Sequence, residues 1–209
     1  MAFSRHIRGF KTGWESPFLT LKFRLQANNL RDCVTMFLRG DTHMLLCYES
    51  KNADPLPFDA SIRRGLWEID YLMPVVGGML RYAVKASGEI APATPAILYP
   101  DNSYFGEVLN AGERLFGTRK HSKDPVCETA FSSGMKELTR KGIGMSWLPY
   151  SMVHRELETG NLISLANRYG QEPLEVAIYA DIKEEIALAV LQVWSKAPNI
   201  RQEHTAQTH

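Results

Sequence analysis

The chain has 209 residues, 44% of them hydrophobic and 22% charged, with a formal net charge of +1 at pH 7. This composition is typical of a globular protein with one large domain or two small lobes. The near-neutral charge argues against a protein that holds nucleic acid on its own surface. Three cysteines without metal-ligand spacing, no apolar stretch of membrane length and no signal-peptide core together predict a soluble, cytoplasmic protein.

The first third of the chain predicts alternating helices and strands. Residues 3–14 carry apolar side chains at helical spacing, and FLTLKFRL, residues 18–25, alternates as a half-exposed strand does. A helix capped by Asn28 or Asn29 follows, and then a buried strand over residues 42–48. Strand, helix and strand in succession predict a βαβ unit in a parallel sheet.

The remainder continues the alternation, with proline and glycine marking its turns. Ser133 is predicted to cap a helix that ends at Gly142, and IGMSWL, residues 143–148, to form a short buried strand. The other predicted elements are strands at 66–76, 95–99, 161–166 and 174–180, and helices at 102–117, 150–160 and 184–197.

The Gly142-x-Gly144 pair does not predict a dinucleotide site. In that motif the glycines follow a strand and open a helix, whereas here they end a helix and begin a strand. No Gly-x-Ser-x-Gly elbow is present either, and the histidines are scattered. The sequence therefore predicts no catalytic residue, metal site or cofactor, and the protein is expected not to be an enzyme.

Two predicted helix N-termini carry short polar side chains. Asn102 and Ser103 precede one helix, and Ser132 and Ser133 open another. Helix N-termini offer N–H donors to anions and polar ligands, but the same side chains also serve as ordinary caps. Both interpretations stay open from these residues alone.

Two further features have structural interpretations. Glu68 and Asp70 lie two apart on a predicted strand, with Trp67, Ile69 and Tyr71 on its other face, so the carboxylates are expected on the solvated side. Met135 lies beside the serine pair, and its thioether either fills the core or undergoes reversible oxidation.

Nearly the whole chain, from Phe3 to about Ala197, resembles the effector-binding domain of LysR-type transcriptional regulators. The likeness rests on the run SSGMKELTRKGIGMSWLPYSMVHRELETGNLISL, on LEVAIYAD and on a last helix that ends VLQVW. Upstream, Leu38, Gly40 and Asp41 match a family helix-to-strand pattern. NSYFG and SSGMKEL resemble the hypochlorite-responsive branch, although Phe105 stands where that branch has methionine.

The resemblance implies an α/β fold with two Rossmann-like lobes joined by crossover strands, as in periplasmic binding proteins. Lobe I is predicted to comprise residues 1–74 and 172–209, and lobe II residues 75–171. The family's winged helix-turn-helix and first regulatory-domain strand find no counterpart, so DNA contact is expected only through an additional N-terminal domain.

The function implied is effector sensing. A small polar ligand or an oxidant is expected in the cleft between the lobes, in a homo-oligomer. Met135 is the redox-sensing candidate, expected to react with hypochlorite before most other methionines. A solute-binding protein and a small α/β enzyme are the alternatives. The predicted ligand-binding residues are Cys47, Tyr48, Glu49, Tyr99, Asn102, Ser103, Ser132 and Ser133.

Overall fold

The computed structural model describes residues 21–116 and 125–195, with side chains omitted for residues 112–116. The described elements are α1 (Leu30–Leu38), β1 (Met44–Glu49), β2 (Ile62–Gly77), a 3-10 helix (Gly78–Ala83), β3 (Ile97–Leu98), α2 (Tyr104–Phe116), β4 (Cys127–Glu128), α3 (Ser132–Arg140), β5 (Ser146–Pro149), α4 (Tyr150–Glu158), β6 (Leu162–Ser164), α5 (Ala166–Tyr169), β7 (Glu172–Asp181) and α6 (Glu185–Ser195).

The chain divides into two compact units. The described part of the first unit is residues 21–48, 56–69 and 175–195, and the second unit comprises Glu49–Pro55 and Asp70–Leu174. Strands β2 and β7 each contribute residues to both units. The predicted lobe limits differ from these by a few residues and stay a prediction.

In the first unit, helix α1 is fixed by its own cap and by an apolar face. Asn29 Oδ1 accepts a hydrogen bond from Asp32 N at 2.9 Å, which satisfies one of the open donors of the first turn. Val34 and Phe37 are buried beside Tyr179 of β7. The predicted cap and the core-facing spacing of this helix are confirmed.

The second unit is organised by three strand pairings. Strand β2 pairs antiparallel with β5, where Leu72 faces Pro149, and with β6, where Gly77 faces Leu162. Strands β3 and β4 pair in parallel, and β4 is an element that the sequence pattern did not predict. Gly142 ends α3 at a φ of 80°, as predicted for this glycine.

Two sequence expectations about strands are wrong. Residues 21–25 form no strand, and residues 18–20, like the predicted helix 3–14, lie outside the described residues. On β2, Asp70 is buried at 2% exposure whereas Ile69 and Tyr71 are each 37% exposed. The predicted solvated side is therefore wrong at Asp70, because the side chain meets a helix N-terminus that alternation alone does not reveal, whereas Trp67 packs against a core cluster as predicted.

Candidate functional site

In the second unit, strands β3 and β4 end side by side and each leads to a helix. Thr129 N donates to Leu98 O at 3.0 Å, which continues the parallel pairing to the ends of both strands. Helix α2 then begins at Tyr104 and helix α3 at Ser132. Open α/β sheets bind ligands outside the carboxyl ends of such strands, where helix N-termini supply N–H donors.

Tyr99 and Ser132 join these two segments. The Tyr99 hydroxyl lies 2.9 Å from Ser132 Oγ, and Tyr99 is only 3% exposed. Its ring packs on Phe105 of α2, with the ring centroids 5.2 Å apart. Burial raises the pKa of Tyr99 well above its usual value, an effect that the Ser132 hydrogen bond opposes only in part. The phenol therefore remains a neutral hydrogen-bonding group across the physiological range.

The N-terminus of α2 is capped by Ser103. Ser103 Oγ accepts a hydrogen bond from Gly106 N at 3.2 Å and donates one to Pro100 O at 2.7 Å. A Cβ atom at Gly106 would lie 2.0 Å from Pro100 O, so glycine permits this close approach of the helix to the strand end. Asn102 is exposed in the preceding turn. The capping interpretation of Ser103 is thus the one that its contacts support.

The N-terminus of α3 is open. Phe131 stands in the cap position and makes no side-chain cap, so the predicted capping role of Ser133 is wrong. The N–H groups of Ser132, Ser133 and Gly134 have no hydrogen-bond acceptor among the residues that the structure describes. Three unsatisfied donors at the positive end of a helix favour a bound anion or polar acceptor.

Thr129 is a residue of this site that the sequence analysis missed. Its Oγ1 accepts a hydrogen bond from Phe131 N at 3.0 Å, which fixes the backbone immediately before α3. Thr129 could have been identified only by its position directly after β4. That strand has two residues and is too short to show a periodic pattern.

Met135 lies one turn into α3 and is fully buried at 0% exposure. Thr139 Oγ1 donates to Met135 O at 2.8 Å and lies 2.7 Å from Ser146 Oγ, so this part of the helix is held against β5. An oxidant can reach the thioether only after local opening. The redox role of Met135 stays a prediction.

The remaining predicted contacts lie on β1. Cys47 and Tyr48 belong to the first unit and are 2% and 4% exposed, with Cys47 in the core cluster that also contains Tyr179. Glu49 is half-buried at the end of the strand and belongs to the second unit. Their role in ligand binding stays a prediction.

The described residues have neither a metal-binding cluster nor a membrane-spanning helix. They contain no group of three or more His, Cys, Asp or Glu side chains that could hold a metal ion. Within the same ranges, no helix has both the length and the apolar character needed to cross a bilayer.

Comparison with known proteins identifies the fold. No family model matches the sequence. The HTH domain-truncated transcriptional regulator QseD of Escherichia coli O157:H7 is 27% identical over 150 residues, which are 68% of this chain and 55% of QseD. The chain thus matches about half the length of that curated relative.

Solved structures match this chain over more of its length than the curated relative does. The apo regulatory domain of HypT from Salmonella typhimurium superposes with a TM-score of 0.68 at 20% identity, covering 90% of this chain and 86% of that one. Full-length HypT, a hypochlorite-specific LysR-type transcriptional regulator, gives 0.66 at 22% identity over 82% and 59% of the two chains. The chain has the fold of a LysR-type regulatory domain. The LysR resemblance and the α/β fold class predicted from the sequence are confirmed.

Proposed function

We propose that this LysR-type domain senses a small polar effector at the carboxyl ends of β3 and β4. The observation that carries the proposal is the 2.9 Å contact between the Tyr99 hydroxyl and Ser132 Oγ, beside the open N-terminus of α3. The two hydroxyls and the three open N–H groups together offer several hydrogen-bond donors at the N-terminus of α3. This set matches a ligand with a carboxylate or a similar acceptor group.

Ligand binding here would act through α3. An acceptor seated on its first turn competes for the Ser132 hydroxyl that now meets Tyr99, and α3 is packed through Met135 and Thr139. A ligand that prefers one arrangement of this helix shifts the population of that arrangement. In a complete regulator the shift would reach a DNA-binding domain and the contacts between protomers.

A metabolite screen on the purified 209-residue chain tests the proposal. We expect at least one small carboxylate or comparable polar compound to raise the thermal midpoint by mass action and to give saturable heat in calorimetry. Ser132→Ala and Tyr99→Phe should weaken that binding about tenfold each, the cost of a lost hydrogen bond to a charged acceptor. Tyr82→Phe, which alters a tyrosine that is 76% exposed, is the matched control.

The predicted contacts Asn102, Ser103 and Ser133, together with Cys47, Tyr48 and Glu49, form part of the same proposal. Chemical-shift changes at these positions on adding the identified ligand would support it. If both Ser132→Ala and Tyr99→Phe bind the ligand as tightly as the wild type does, the ligand binds at another place and the proposed site is wrong. Turnover of the bound compound would favour the enzyme alternative instead.

A further inference from the structure

A second concave site lies in the second unit, away from the carboxyl ends of β3 and β4. It is a groove of about 350 Å³ between the segment 81–88 and the segment 163–168. Its charged lining residues are Arg81, Lys85 and Arg168, and none of the described residues that line it is acidic. This local excess contrasts with the near balance of 24 basic and 23 acidic residues in the whole chain.

Arg81 is held in place by backbone carbonyls. Its Nε donates to Gly78 O at 3.0 Å and its Nη1 donates to Gly160 O, so the side chain joins the 3-10 helix to the turn after α4. The neighbouring backbone is closely packed, because a Cβ at Gly78 would lie 2.7 Å from Gly142 Cα. No carboxylate is among the hydrogen-bond partners of Arg81 in the described chain, so its charge is not neutralised by an ion pair.

Lys85 sits on a tight turn. Its backbone N–H donates to Glu89 O at 2.9 Å, Gly88 N donates back to Lys85 O at 2.8 Å, and Gly88 has a φ of 77° that favours glycine. Lys85 Nζ also pairs with Glu89 at 3.0 Å, with side chains 65% and 42% exposed. Such a solvated ion pair is weak, so a ligand of higher negative charge can replace Glu89 as the partner of Lys85.

Arg168 completes the cationic rim from α5. Its guanidinium carbon lies 6.0 Å from the centroid of the Tyr169 ring, and the Tyr169 hydroxyl accepts a hydrogen bond from Ile90 N at 3.2 Å. This contact ties α5 to the turn that carries Lys85. Beneath the rim, Ile90 and Leu165 are buried in one apolar cluster, so the base of the groove is well packed.

We propose that this groove binds a small polyanion, either a phosphate ester or a polycarboxylate. Three cations line the groove and one of them pairs with a carboxylate, which leaves about two positive charges for a ligand. A guanidinium group can form paired hydrogen bonds to the oxygens of a planar carboxylate or of a tetrahedral phosphate. The volume falls at the lower end of small-ligand sites, which limits the ligand to a short skeleton.

Titration calorimetry of the full chain at low ionic strength tests the groove, with inorganic pyrophosphate and citrate as the two probes. We expect saturable binding of at least one probe, and the preferred probe identifies the anion class. Arg168→Gln and Lys85→Gln should each raise its Kd about tenfold, a loss typical of one charge-assisted contact. Arg155→Gln, an exposed cation on α4 outside the groove, is the matched control.

The groove and the effector site can be tested independently of each other. Tyr99→Phe should leave the Kd of pyrophosphate or citrate unchanged, so failure of one proposal does not carry to the other. The groove is refuted if neither probe gives saturable heat, or if Arg155→Gln weakens binding as much as Arg168→Gln. Thermal unfolding of each variant verifies folding, and Lys85→Gln provides an independent test if Arg168→Gln is unfolded.

Discussion

Asp70 Oδ1 accepts a hydrogen bond from the backbone N–H of Ser151 at 3.0 Å, across 81 positions of sequence. Helix α4 has Pro149 in its cap position, and proline has no side-chain oxygen to satisfy the first turn. Asp70 supplies that oxygen from strand β2 and also accepts from Tyr71 N at 2.8 Å. A buried carboxylate on the strand is thus explained by the helix that it caps.

Replacement of Asp70 should destabilise the second unit. Asp70→Ala leaves the buried Ser151 N–H without its acceptor, and we expect the free energy of unfolding to fall by about 1–3 kcal/mol. Asp70→Asn retains an oxygen acceptor and should cost less. Urea denaturation measures both, with Asp54→Ala at an exposed position of the same unit as the control. Equal stability of Asp70→Ala and Asp54→Ala would contradict the capping role.

Tyr99 should weaken the folded state at alkaline pH. Its folded-state pKa is raised by burial, whereas an unfolded tyrosine ionises near pH 10. The unfolded chain therefore loses this proton first, and the free energy of unfolding falls as pH rises above about 10. Tyr99→Phe should make that fall shallower. Denaturation between neutral and alkaline pH tests the slope, and the exposed Tyr82→Phe should leave it unchanged.

The Lys136–Glu156 pair should stabilise the packing of α3 on α4. Lys136 Nζ lies 2.7 Å from Glu156 and also donates to Met152 O, and the two side chains are 14% and 19% exposed. Lys136→Met leaves a half-buried carboxylate without its partner, which should cost about 1–3 kcal/mol. Arg140→Met, which breaks a pair exposed at 44% and 53%, should cost less than about 1 kcal/mol.

The same pair gives a prediction for acid pH. Burial alone would raise the pKa of Glu156, but the hydrogen bond and charge of Lys136 lower it below its ordinary value. A lowered folded-state pKa adds stability above the ordinary pKa, and that stability is lost as pH falls through the folded value. The difference in the free energy of unfolding between wild type and Lys136→Met should therefore become smaller below about pH 4. A constant difference down to the acid transition would contradict the ion pair.

Two glycines at helix N-termini should respond in opposite directions. Gly106→Ala places Cβ 2.0 Å from Pro100 O, a backbone atom, so we expect a loss of several kcal/mol or a failure to fold. At Gly134 the obstacle is Phe131 Cδ1 at 2.7 Å, and Phe131 is 59% exposed and can rotate away. Gly134→Ala should then add up to about 1 kcal/mol through helix propensity. Thermal unfolding compares the two directly.

Exposure sets the expected order of methionine oxidation. Met79 is 78% exposed whereas Met135 is 0% exposed. With hypochlorite below one equivalent, we expect sulfoxide at Met79 before Met135, which reverses the order expected from the sequence, and Met135→Leu should leave this early reaction unchanged. Peptide mass spectrometry gives the order. Oxidation of Met135 ahead of Met79 would show that α3 opens readily and would support oxidant sensing.

Periodicity predicted the regular elements well and the site only in outline. The cap of α1 at Asn29 and the end of α3 at Gly142 follow from local chemistry, and both are confirmed. The predicted exposure of Asp70 on β2 was wrong because Asp70 is buried by a helix 81 positions away. Ser132 was identified as a helix-terminal residue, but its contact with Tyr99 depends on the parallel pairing of β3 with a two-residue strand. Such a strand leaves no pattern to detect.

The division of the chain into units has a consequence for biosynthesis. The first unit draws its described residues from three separate segments, the last of which begins at Glu175, whereas the second is nearly continuous from Asp70 to Leu174. Domains tend to fold as they emerge from the ribosome. Helix α1 and strand β1 are therefore translated early yet must wait for β7 and α6, while the unit encoded between them can fold first. A translation product that ended near Leu174 would carry the whole second unit but only two of the three segments of the first.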